Sequence, residues 1–183
     1  MAAIATSMSS RLAMPVESEE EAKLKLEAIR KEYYDANHHC YAYRIGATGD
    51  VYRVNDDGEP SGTAGRPIHG QILSKGLSDI LVVVIRYFGG TKLGVPGLIH
   101  AYKTTSAEAL SEAMIIQKTV TEKMMITFGY PRMNEVMRIL KDDGVSIINQ
   151  QFDESCRIVV TVRKSKSGEI QRRLSLLMNI SVC

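Results

Sequence analysis

At 183 residues, with 44% hydrophobic and 24% charged content, the chain has room for one large or two small globular domains. A formal net charge of +2 is far from that of a dedicated nucleic-acid domain, and no apolar run approaches the roughly 18 residues that span a bilayer. Cys40, Cys156 and Cys183 form no Cys-x-x-Cys pair, so reduced thiols are expected rather than a disulfide framework; with no secretory signal in the first ten residues, a cytosolic location is expected.

In chain order, Ser18-Glu19-Glu20-Glu21 is a capping-box pattern, and Ala22, Leu26, Ile29 and Tyr33 behind it make one apolar helix stripe. Residues 40–45 and 51–54 read as a hairpin around Ala47-Thr48-Gly49-Asp50. Pro67 reads as the first residue of a helix running to about Leu73. The continuous apolar run 79–87 predicts a central strand buried on both faces. Pro96 or Gly97 opens a long helix to about Ala113, with Leu98, Ala101, Tyr102, Thr105, Ala109 and Leu110 on its packed face. The pattern restarts near Gln117. A strand alternates over 120–128, and a helix follows from Pro131 and ends at Gly144. Strands at 145–152 and 156–163 meet at an Asp153-Glu154 turn. A helix carrying Ile170, Leu174 and Leu177 and a short strand at 179–182 complete a β-α-β-β-α-β order, that of a ferredoxin-like sandwich. The expected fold class is therefore α+β, with domains at 10–117 and 118–183. Residues 118–183 hold 11 Lys/Arg against 7 Asp/Glu and residues 1–117 hold 12 against 14, so the C-terminal part is the basic one.

Two Gly-rich loops flank the apolar strand. The second contains Arg86, Tyr87, Phe88, Gly89, Gly90, Lys92 and Gly94 between a strand and a helix. It offers amides, a helix N-terminus and a cation to an anion such as phosphate. It is not a Walker A loop, because no Gly-Lys-Ser/Thr order exists. The first carries Asp56, Asp57 and Glu59 with Ser61, Gly62, Thr63, Gly65 and Arg66. Its acids either cap the following helix or hold a divalent cation, and their order does not fit an EF-hand. In His38-His39-Cys40 only His38 and Cys40 share a strand face, and no third or fourth metal ligand is evident. Arg163, Lys164, Arg172 and Arg173, with Lys166, are either a solvated helix end or a phosphate-contacting patch.

The stretches His38-His39-Cys40-Tyr41-Ala42-Tyr43-Arg44, Asp56-Asp57-Gly58-Glu59-Pro60-Ser61-Gly62-Thr63-Ala64-Gly65 and Arg86-Tyr87-Phe88-Gly89-Gly90-x-Lys92-Leu93-Gly94 strongly resemble the Impact/YigZ-type family, and the resemblance covers about residues 10–183. It implies an N-terminal domain with the superfold shared by a small-subunit ribosomal protein and domain IV of elongation factor G, and a C-terminal domain similar to domain V of that factor. Eukaryotic relatives regulate translation, but their partner-binding N-terminal domain has no counterpart here, so their partner is not carried over. Residues 10–16 look like a shortened first strand and residues 1–9 have no family character, so the first strand is expected either to be incomplete or to end in a non-native leader.

The expected function is a cytosolic, non-enzymatic protein that binds RNA or ribosomal components and regulates translation, with no membrane association. Phosphate would meet Arg86, Lys92, the two Gly loops, His38, His39 and the basic C-terminal residues. Tyr41, Tyr43, Tyr87 and Phe88 are candidate stacking groups. No cofactor and no metal are expected on this reading. The rival is an enzyme acting on a phosphorylated small molecule through the same loops, with Asp56, Asp57 or Glu59 supplying a metal or a base. A protein-interaction module with a protein partner is the third reading.

Overall fold

A computed structural model describes residues 8–87, 93–177 and 180–182. It is a mixed α+β protein whose described residues form two four-stranded antiparallel sheets and five α-helices. The chain divides into two compact units, Met1–Ile115 and Ile116–Cys183. Among the described residues no helix is long and apolar enough to cross a membrane.

The first unit runs β1 (Met8–Pro15), α1 (Glu19–Glu32), β2 (His38–Ile45), β3 (Val51–Asn55), α2 (Gly65–Ser74), β4 (Ile80–Arg86) and α3 (Gly94–Glu112), with sheet order β1-β4-β2-β3. Strand parity assigns the two faces. Leu81, Val83 and Ile85 join Tyr41, Tyr43 and Ile45 beneath Ala22, Leu26 and Ile29 of α1. Val82 and Val84 join Cys40 and Ala42 beneath Ile68 and Ile72 of α2 and Leu98 and Tyr102 of α3. The expected central strand is therefore β4, covered on both sides, and each aliphatic side chain fully buried there contributes about 1.5–3 kcal/mol.

Local chemistry sets the helix boundaries. Ser18 Oγ accepts from the Glu21 amide at 3.1 Å, as a cap should. The helix expected to start at Pro67 starts at Gly65, so Pro67 falls in the first turn, where its missing N–H is not needed. A Cβ at Gly65 would lie 2.6 Å from the Asn55 backbone nitrogen, so only glycine lets α2 begin against the end of β3. The next helix starts at Gly94, ahead of the expected Pro96 or Gly97. The first strand, expected over residues 10–16, runs Met8–Pro15 and pairs with β4 from Ser10 opposite Ile85 to Pro15 opposite Ile80; the ladder needs backbone groups and not apolar side chains.

The second unit runs β5 (Thr121–Phe128), a short 3-10 turn (Tyr130–Arg132), α4 (Met133–Asp142), β6 (Ser146–Phe152), β7 (Cys156–Arg163), α5 (Lys164–Ser175) and β8 (Ile180–Val182). The strand order β6-β7-β5-β8 is the ferredoxin-like arrangement expected from the sequence. Met124, Ile126 and Phe128 of β5 and Ile158, Val160 and Val162 of β7 face Val136, Leu140, Ile170 and Leu174 on the two helices. Both helices of this unit pack on that one face of its sheet.

Candidate functional site: a buried acid clamp and an open basic sheet face

Arg86 is the last residue of β4 and keeps the parity of Val82 and Val84, so its side chain enters the α2/α3 side of the sheet. A guanidinium cannot shed its proton there and needs an acid. Glu59, from the loop between β3 and α2, supplies it. Glu59 Oε1 stands 2.6 Å from Arg86 Nη1, with the two side chains only 4% and 5% exposed. Tyr102 of α3 donates its hydroxyl to the same oxygen at 2.8 Å. Cys40 lies 3.2 Å from the Tyr102 hydroxyl and 3.0 Å from the Asp56 carbonyl, and its single thiol proton serves one of them at a time. His38 sits opposite Arg86 in the ladder, with its Nε2 3.8 Å from Glu59 Oε1. Its Nδ1 is 2.8 Å from the Asp57 carbonyl, which can only accept, so Nδ1 carries the proton. Two strands, a loop and a helix thus converge on one carboxylate.

The other two acids of the loop are also engaged. Asp57 accepts from the His39 amide at 2.7 Å and from Arg30 of α1 at 2.8 Å. Asp56 accepts from the amides of Gly62, Ala64 and Gly65 at 2.8, 2.9 and 2.8 Å. Burial alone would push the Asp56 carboxyl up, but the Gly62, Gly65 and Ala64 amides, with Arg66 nearby, outweigh it and hold it below its ordinary value. Among the described residues no group of three or more His, Cys, Asp or Glu could hold a metal ion.

These contacts change what the sequence suggested for the first loop. The Gly62 and Gly65 amides are not offered to phosphate, because they already serve Asp56. Thr63 is buried and donates its hydroxyl to the Pro60 carbonyl, whereas Ser61 and Arg66 are exposed. Arg86 is an interior ion-pair partner rather than a surface cation. His39 is buried, with Nε2 3.0 Å from the Tyr33 carbonyl. Tyr41 and Tyr43 are 7% and 4% exposed, with Tyr43 donating to Glu19, so neither is available for stacking. Tyr87 is half-buried and donates to Asp35. Gly94 is exposed at the start of α3, and Phe88, Gly89, Gly90 and Lys92 lie outside the described residues. Arg163, Lys164 and Arg172 are exposed, while Arg173 pairs with Asp143.

Cys40 is not a poised nucleophile. Burial pushes its thiol up to about 12, with the nearby carboxylates adding to that and the Tyr102 hydroxyl opposing it. Burial raises Tyr102 as well, with Cys40 and Glu59 adding to it. Native protein held with excess iodoacetamide at pH ~8, below this value, is expected to keep Cys40 unmodified while denatured protein is alkylated, as read by peptide mass spectrometry. Rapid native labelling would show that the thiol is not enclosed as described.

Sequence reasoning missed a second surface. Cross-strand partners share a face, so the outward side of the second sheet is read from its register. Thr121 opposes Arg163, Lys123 opposes Thr161, Met125 opposes Val159 and Thr127 opposes Arg157. Asn149 and Gln151 of β6 continue the rows of Val159 and Arg157. Lys123, Arg157 and Arg163 are exposed there, and no acid occupies these rows. The signal was present as alternation along 121–128 and 156–163. Only the observed register shows that the cations align.

The architecture is thus a two-unit α+β protein with a clamped acidic loop in one unit and exposed cations on a sheet face of the other. The family model for the Impact N-terminal domain matches residues 7–110. The chain is 50% identical over 156 residues to an IMPACT family member of Thermus thermophilus encoded in the pol 5' region, spanning 85% of this chain and 84% of that protein. It is 34% identical over 158 residues to the IMPACT family member YigZ of Escherichia coli (strain K12), spanning 85% and 78%. A crystal structure of a hypothetical protein shares the fold with a TM-score of 0.68 at 30% identity, over 94% of this chain and 85% of that one. The chain belongs to the IMPACT family.

Proposed function

We infer that this protein is a non-enzymatic regulator associated with translation that binds RNA, or the RNA of ribosomal components, across the open sheet face of its second unit. The observation that carries this reading is the alignment of Lys123, Arg157 and Arg163 on a face without acids. Thr121, Thr127, Thr161, Asn149 and Gln151 add hydroxyls and amides around them, and Met125 and Val159 offer apolar contact to bases. Lys164 and Lys166 adjoin at the N-terminal turn of α5, which has no acid of its own. Cations at the positive end of a helix repel it, and a phosphate relieves that repulsion.

The test is anisotropy of a fluorescein-labelled single-stranded RNA at two salt concentrations, about 50 and 200 mM. Affinity is expected to fall as salt rises. In the Lys123→Ala/Arg157→Ala/Arg163→Ala variant the log–log salt slope should shrink by about 2, the counterions released by three single-strand phosphates. All three side chains are exposed, so the variant should fold as the parent does. No RNA binding by the parent, or an unchanged slope in the variant, removes this reading.

A further inference from the structure

We propose that the free edge of β6 is a strand-addition site for an extended, acidic-flanked peptide of a protein partner. Among the described residues β6 ends the second sheet and pairs only with β7, so one row of its backbone groups has no strand partner there. Edge strands are ordinarily blunted by charge, proline or extreme shortness. The seven residues Ser-Ile-Ile-Asn-Gln-Gln-Phe carry no charge and no proline, and all are exposed, Ile148 at 52%. A single irregularity between Ile147 and Asn149 interrupts the ladder, and from Asn149 to Phe152 the pairing is regular.

The flank of this edge is shaped to receive side chains. A groove of about 490 Å³ runs between α4 and β6, lined by Met137, Leu140, Val145 and Ile147, with Asn134, Arg138 and Lys141 at its rim. Ile147 and Phe152 point to the helical side, because they oppose Val160 and Cys156 of the core. A strand added along β6 would place alternate side chains on that same side, toward the groove. Apolar residues at every second position therefore fit it.

The rim charges select the occupant. Arg138 and Lys141 are exposed, have no acidic partner among the described residues, and no acid lines the groove. Acidic residues flanking the added strand would complement them. A second copy of this chain is a poorer fit, because antiparallel pairing of two β6 edges places two α4 helices on the same side of the joined sheet. Each would then bring Arg138 and Lys141 toward the other's pair.

The test uses the full-length protein and a fluorescein-labelled synthetic peptide, Asp-Glu-Val-Thr-Ile-Thr-Val-Glu-Asp. Saturable anisotropy binding is expected, with amide exchange slowed at residues 149–152. Affinity should drop at least tenfold for the Arg138→Glu/Lys141→Glu variant and for a peptide with lysines in place of its acids. Both changes are solvent-exposed, and the peptide swap leaves the protein untouched. The proposal is overturned by absence of binding, by equal binding of the acidic and lysine-flanked peptides, or by protection confined to residues outside β6. A peptide-independent dimer in sedimentation that protects β6 would overturn it as well, assigning the edge to a second copy.

Discussion

Glu59→Leu is expected to cost about 3–5 kcal/mol of folding stability, the range for removing one partner of a buried ion pair. Arg86 would remain charged in an interior position with its 2.6 Å partner gone. Tyr102 would lose the acceptor of its hydroxyl, and that is a further unmade buried hydrogen bond. The loss should appear in urea unfolding followed through amide signals of β4 and α3. The double variant Glu59→Leu/Arg86→Met should recover a large part of it, because apolar side chains of similar size can replace both members of a buried ion pair. Tyr102→Phe should be milder, about 1 kcal/mol, since it removes one hydrogen bond and keeps the ring packing. A Glu59→Leu loss below about 1 kcal/mol would show that this carboxylate does not hold the loop to the sheet.

The clamp also bears on what the 55–65 loop can bind. An anion site in the 55–65 loop would need spare amides, and a metal site would need spare carboxylates. Asp56 consumes three amides, Asp57 ties the loop to β2 and α1, and Glu59 ties it to β4 and α3. The loop is a structural staple in which every acid has a local partner. Among the described residues Lys123, Arg157 and Arg163 of the second unit have no acidic partner, which is why the proposed contact with RNA is assigned to them.

What could be read from the sequence follows from how local each signal is. The Ser18 cap, the both-sides-buried character of β4 and the β-α-β-β-α-β order each rest on spacing within one segment. They survive in the structure because no distant partner competes with them. The burial of Tyr41 and Tyr43 was not legible, because alternation in β2 distinguishes two faces without telling whether a helix covers one. α1 covers theirs. The fate of the Gly62 and Gly65 amides was hidden for another reason. Whether a glycine amide faces solvent depends on Asp56, six and nine residues earlier, folding back over its own loop. The Glu59–Arg86 pair had a usable signal. An arginine that continues the inward parity of Val82 and Val84 requires an interior acid, and the acidic loop follows β3, which pairs with β2 beside β4.

Asp56→Asn is expected to lower stability by about 2–4 kcal/mol at neutral pH, through weakened acceptance of three amide hydrogen bonds. The replacement keeps one oxygen but turns the other into a donor facing backbone N–H groups. The pH dependence has a defined sign. The folded Asp56 carboxyl is held below its unfolded value, because the Gly62, Gly65 and Ala64 amides and Arg66 outweigh the effect of burial. Its contribution is therefore complete above the unfolded value, about pH 4, and is lost as pH falls through the lower folded value. Urea midpoints from neutral to strongly acidic pH should show the parent and Asp56→Asn far apart at the top of the range and converging at the bottom. Amide exchange at Gly62, Ala64 and Gly65 should accelerate in the variant at neutral pH, and it should do so even if global stability changes little. Parallel curves across the whole range would mean that Asp56 does not titrate as this geometry requires. Unchanged exchange at the three amides would mean that the carboxylate is not what orders the loop.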